Sequence, residues 1–93
     1  MLGTSKAIQE IDRATAPAFN AYLHDAIDTS DEVLVVVDCA DVTFMDSAAF
    51  HVLVDATEYA VRHDHTLLIR NLSPSCAMLI RLCDLDRELR VEP

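Results

Sequence analysis

The 93-residue chain has no tryptophan, one glycine, three prolines and five Tyr or Phe, and only 7 lysines and arginines stand against 16 aspartates and glutamates. Each scarcity excludes something. With one glycine, a glycine-rich phosphate cradle or nucleophile elbow cannot be built. With a formal net charge of −9, a nucleic-acid surface is excluded, because such surfaces neutralise phosphates with Lys and Arg; a basic protein partner fits better, and a nucleic-acid partner is not expected. No apolar run approaches the roughly 20 residues of a membrane span, and no basic segment precedes an apolar leader. The chain is therefore expected to be cytoplasmic, with no membrane partner.

What remains is ordinary core material, 52% hydrophobic, sufficient for one small domain over residues 1–93 with little margin. Cys39, Cys76 and Cys83 are odd in number and lack C-x-x-C spacing, which argues against a disulfide framework or a zinc site. Reduced, buried thiols are expected. Cys76 and Cys83 lie about 10 Å apart along a predicted helix, too far for a bridge within it; a redox role for Cys39 is the minor alternative.

Apolar periodicity alternates strand, helix, strand, helix, strand, helix, strand, an α/β order suited to a mixed sheet of about four strands covered by about three helices. Residues of about 4 to 11 form a weak strand ended by Asp12. Thr15 and Pro17 open a helix to about Asp28, with Phe19, Tyr22, Leu23, Ala26 and Ile27 on its inner face and Asn20, His24 and Asp25 in water. Val33 to Val37 is an unbroken apolar run, as in a central strand buried on both faces. From Ser47 to about His63, the inner face carries Phe50, Leu53, Val54, Thr57 and Val61, and the outer face His51, Asp55, Glu58 and Arg62. A turn at His63-Asp64-His65 leads to a strand over Thr66 to Arg70. Ser73-Pro74 opens a last helix through Cys83, and a short strand follows around Leu89 to Val91.

Met45-Asp46-Ser47-Ala48-Ala49 joins an apolar strand to an amphipathic helix and places one small hydroxyl at a helix N-terminus. Unpaired N–H groups and the macrodipole favour an anion there, so Ser47 reads as a phosphate address. The plainer reading is N-capping by Asp46 or Ser47, and both hold if Asp46 caps while Ser47 is modified. Asp38, Asp41 and Asp46 follow an apolar strand as Mg²⁺-site carboxylates often do, but with no glycine-rich loop or suitably placed Lys they read as solvated loop residues. His24, His51, His63 and His65 read as surface and turn histidines, not metal ligands. No cofactor, metal or catalytic residue is expected, and the chain does not read as an enzyme.

The segment Val35-Val36-Val37-Asp38-Cys39-Ala40-Asp41-Val42-Thr43-Phe44-Met45-Asp46-Ser47 resembles the strand-to-helix segment of STAS domains, the bacterial anti-sigma factor antagonists (anti-anti-sigma factors). Glu10-Ile11-Asp12 and Thr15-Ala16-Pro17-Ala18-Phe19 resemble the family's upstream turn and first helix; Asn71-Leu72-Ser73-Pro74 and the leucine-rich Leu79 to Leu89 resemble its last third. The chain departs at Gln9, Ala48 and Ala49, where the family usually has Gly, a second hydroxyl and Gly. Its leader of 11 residues before Asp12 is short, with the expectation that the family's first strand is missing and that the uncovered edge pairs two copies.

The resemblance implies that the unmodified protein binds an anti-sigma factor, a serine kinase, and so frees a sigma factor for transcription. Phosphorylation at Ser47 would end that binding. It also implies that Asp12, Thr43, Met45, Asp46, Ser47 and Phe50 form or support the docking surface. The alternative is a constitutive STAS-type subunit of a transporter or signalling assembly, in which Ser47 is only a cap.

Overall fold

The computed structural model describes residues 2–3, 10–85 and 87–92. Eight elements follow in order: β1 (Leu2–Gly3), β2 (Glu10–Ile11), α1 (Ala16–Thr29), β3 (Leu34–Asp38), β4 (Phe44–Met45), α2 (Ser47–Arg62), β5 (Thr66–Arg70) and α3 (Pro74–Leu82). The expected strand over about 4 to 11 falls in part on residues 4–9, outside the described set. The expected C-terminal strand is a single parallel bridge, Ile69 to Val91.

Every strand pair among the described residues is parallel. β3 is central in the order β1-β3-β5, with Leu2 opposite Val37 and Val37 opposite Ile69; β2 pairs with β4, Ile11 opposite Met45. The offset between partners changes by one residue from the β1–β3 pair to the β2–β4 pair. The two N-terminal strands thus run beside β3 and β4 in one direction.

Side-chain alternation along these strands explains the layering. Val35 and Val37 of β3, and Leu67 and Ile69 of β5, are buried, while Leu34 is half in water and Val36 and Leu68 are partly covered. The run Val33 to Val37 is therefore not buried on both faces: Val33 is 68% exposed. Only one face of β3 carries fully buried residues.

α1 buries Phe19, Leu23 and Ile27 completely, each worth about 1.5–3 kcal/mol of transfer free energy. α2 buries Ala49, Phe50, Leu53, Ala56, Thr57 and Ala60, a stripe at helical spacing. Val61, assigned from sequence to that stripe, is 61% exposed instead. Ala56 and Ala60 hold the inner positions, because small side chains let α2 approach α1 and the sheet closely. Asn20 and His24 on α1 are also not fully wet. Tyr59 of α2 reaches across, its ring 4.2 Å from that of His24 and its hydroxyl donating to Asp28 Oδ1 at 2.6 Å.

Shortage of glycine shows most clearly where helices stop. After α2, Asp64 takes φ 65°, and the N–H groups of Asp64 and His65 donate back to Val61 and Ala60 at 3.2 and 2.7 Å. After α3, Asp84 takes φ 58°, and Asp84 and Leu85 bond Arg81 and Ile80, both at 3.0 Å. Both are Schellman closures, with aspartate in the left-handed position that glycine usually fills. Asp64→Gly is expected to raise unfolding free energy by about 0.5–1 kcal/mol in urea titration, while Asp64→Val, whose branched Cβ resists this φ, lowers it by more than about 1 kcal/mol.

Candidate functional site

Two parallel strand-to-helix turns lie side by side at one end of the molecule. Ile11 and Met45 face each other as the last residues of β2 and β4, and the next residue in each strand is an aspartate. The backbone N–H of Asp46 donates to the Ile11 carbonyl at 3.2 Å, tying the two turns together.

Asp12 organises the first turn. Its Oδ1 accepts the N–H groups of Ala14 and Thr15 at 2.9 and 3.0 Å, and its carbonyl accepts Ala16 N–H at 2.8 Å. Thr15 Oγ1 in turn accepts the Asp12 N–H at 2.9 Å and donates to the Glu10 carbonyl at 2.9 Å. This reciprocal Asp–Thr box closes the turn that leads into α1; Thr15, at the N-cap position, spends its hydroxyl there and makes no side-chain cap to the helix itself. These bonds, led by that from Thr15 N–H, hold the Asp12 carboxyl below its ordinary value.

Asp46 performs the same task for α2. Its Oδ1 accepts Ala48 N–H at 2.9 Å and Ala49 N–H at 3.3 Å, and its carbonyl accepts Phe50 N–H at 3.2 Å. Ser47 is then the first helical residue, exposed, and its hydroxyl makes no hydrogen bond among the described residues. The capping question left open by the sequence is answered for Asp46, and Ser47 has no capping duty. Ala49 is fully buried within the first turn at a right-handed φ, so the alanine in place of the family's glycine meets no steric obstacle.

The remaining site candidates divide by burial. Thr43 is exposed and joins Ser47 at the surface; Met45 and Phe50 are 1% and 5% exposed and lie in the core beneath it. Buried side chains of this kind support a docking surface without touching a partner. Phe44, half exposed, takes the outward position that alternation along β4 gives it. Nothing in the local sequence distinguishes Phe44 from its buried neighbour Met45; only the alternation of β4 does.

A groove between α1 and α2 adjoins Ser47, lined by Arg13, Ala16, Pro17 and Asn20 on one side and His51, Val52, Val54 and Asp55 on the other. Asn20 Oδ1 is buried there without a hydrogen-bond partner among the described residues. Arg13 was also missed. Its signal was available: it directly follows Asp12, and Lys6 is the only other cation before Arg62.

Asp38 is occupied structurally, accepting Ala40 N–H at 2.9 Å and Asn71 Nδ2 at 3.0 Å, which lowers its pKa. No group of three His, Cys, Asp or Glu among the described residues is arranged to hold a metal ion. Cys39 and Cys76 are buried and Cys83 is exposed, correcting the expectation that all three are inside. Burial, reinforced by Asp38 and Cys76, pushes the Cys39 thiol up to about 12, so it stays protonated and unreactive near neutrality. Among the described residues, no helix is long and apolar enough to cross a membrane.

The STAS domain family model matches residues 6–93, and the chain belongs to the STAS domain family. The fold is similar to that of tm1081 from Thermotoga maritima, a structure provisionally assigned as an anti-sigma factor antagonist. The TM-score is 0.71 at 16% identity, over 89% of this chain and 72% of that one. It is also similar to the anti-sigma factor antagonist SpoIIAA in its unphosphorylated form, with a TM-score of 0.64 at 14% identity over 100% of this chain and 74% of that chain. None of the curated proteins matches the chain.

Two outcomes follow from the capping geometry. Asp46→Ala is expected to cost about 0.5–2 kcal/mol in chemical denaturation, whereas Ser47→Ala stays within about 0.5 kcal/mol of wild type. The lowered pKa of Asp12 makes its contribution to stability complete above the ordinary carboxylate value of 3.8 and lost as pH falls below it. Asp12→Asn should therefore flatten the acid limb of the stability profile while lowering the neutral plateau.

Proposed function

We propose that this chain is an anti-sigma factor antagonist: unmodified, it binds an anti-sigma factor that is also a serine kinase and frees the sigma factor, and phosphorylation of Ser47 ends that binding. The observation that carries the proposal is the division of labour at the head of α2. Asp46 satisfies the helix N-terminus, which leaves the Ser47 hydroxyl exposed and chemically unoccupied.

Phosphorylation at this position adds about −1.5 to −2 charges and three acceptor oxygens. The α2 dipole offsets part of that charge, but Asp46 is its immediate neighbour and Asp12 caps the adjoining turn. A partner surface shaped to a neutral hydroxyl then has to desolvate a dianion, a penalty of several kcal/mol that cancels a micromolar complex. Arg13 and His51, which line the neighbouring groove, contribute polar contacts on the docking face, with Thr43 and Phe44 at its edge and Met45 and Phe50 fixing the backbone from beneath.

The chain acts in this scheme as a binding module in the cytoplasm, its chemistry done by the kinase. A constitutive STAS-type subunit is the competing reading, favoured by Ala48 where the family has a second hydroxyl. Titration calorimetry against anti-sigma factor kinases from the same genome, with ADP present, separates the two. Wild type and Ser47→Ala should bind alike, and Ser47→Glu at least 100-fold more weakly, about 2.7 kcal/mol. Equal binding by all three variants would instead favour the constitutive subunit.

A further inference from the structure

The end of the molecule opposite Ser47 gathers features that the Ser47 site leaves unused. α1 and α2 start beside Ser47, so their last turns lie at the other end, where β3 and β5 begin. Hydrogen bonds join these pieces into one surface: Tyr59 reaches Asp28, His65 Nδ1 lies 2.8 Å from the Glu32 carbonyl, and Thr66 N–H donates to the Val33 carbonyl at 2.8 Å.

Two large apolar side chains stand in water here, Val33 at 68% and Val61 at 61% exposure. On one flank, exposed Asp31 and Glu32 precede Val33. On the other, Val61 shares a groove with Arg62, Arg87 and Arg90, with Glu58 and Glu88 also in its lining. The Asp84–Arg87 ion pair, at 3.5 Å between side chains more than two-thirds exposed, restrains Arg87 only weakly.

An apolar centre with a carboxylate flank and a guanidinium flank is complementary to its own copy turned by a half-rotation, the condition for an isologous interface. An acidic partner would leave Asp31 and Glu32 facing like charge, and a basic partner would do the same to the three arginines. We propose that a second copy of this chain covers this surface, in a two-fold dimer that sets Asp31 and Glu32 of each protomer against Arg62 and Arg87 of the other. With extents of 31 × 28 × 20 Å, one end of the molecule offers less than the roughly 800 Å² per partner of a standard interface, so the dimer is weak and concentration-dependent. Ser47 points outward at both ends of the pair.

Sedimentation velocity over a concentration series tests this, with circular dichroism to verify folding, since every altered side chain is exposed. Wild type should shift from monomer toward dimer as its concentration is raised, as a weak, small interface requires. Val61→Asp should weaken dimerisation at least tenfold, while Phe44→Asp, at the Ser47 end, leaves it unchanged. The double variants Arg62→Glu/Arg87→Glu and Asp31→Arg/Glu32→Arg should each be monomeric alone and form heterodimers when mixed. A monomeric wild type at every concentration, a dimer that survives Val61→Asp, or failure of the two double variants to pair would each overturn the proposal.

Discussion

The bond from Asp46 N–H to the Ile11 carbonyl is the contact on which the rest of the site depends. It holds the ends of β2 and β4 in register, and register in a parallel pair decides which residue of each strand comes last. Because Ile11 and Met45 are those residues, an aspartate follows each; Asp46 meets the unpaired N–H groups of α2, and Asp12 those of the turn that leads into α1. A shift of one residue in either strand would put a buried apolar side chain at the cap and turn Ser47 inward. Ile11 and Met45 are themselves almost wholly buried, so the same register that seals the core presents the serine.

That coupling separates two roles that short sequence motifs tend to merge. An Asp-Ser pair ahead of a helix offers two capping oxygens, and a helix uses one. Here the carboxylate takes the task, with two N–H bonds, and the hydroxyl is left over. The chain belongs to the STAS domain family, its fold is like those of SpoIIAA and tm1081, and the spare hydroxyl stands at the head of its α2. The identities of 14–16% bear on the fold alone; the proposed switch depends on the local electrostatics of Asp46, Ser47 and the head of α2.

Much of this was legible in the sequence because the relevant signals are local. Asp46 and Ser73 announce the starts of α2 and α3 by their own side chains, and the apolar run over β5 defines a strand by composition. Other features depend on partners distant in sequence. Val61 looked like core because it is large and apolar, yet Ala56 and Ala60 hold the inner positions, where close packing selects size over hydrophobicity. His24 looked wet until Tyr59, on another helix, covered it. The closures at Asp64 and Asp84 were hidden because the usual glycine signal is missing, and the Asp12–Thr15 box was hidden because Asp12 read as a strand-ending residue and Thr15 only as a helix start.

The central claim is that, among the described residues, Ser47 is the one hydroxyl at this end of the molecule left free for modification. Its most direct test is site mapping by mass spectrometry after incubation with ATP and an anti-sigma factor kinase from the same genome. The account predicts a single phosphate confined to Ser47 and absent from the Ser47→Ala protein. A phosphate on Thr15 or Thr43, or equal labelling of the Ser47→Ala protein, would contradict it.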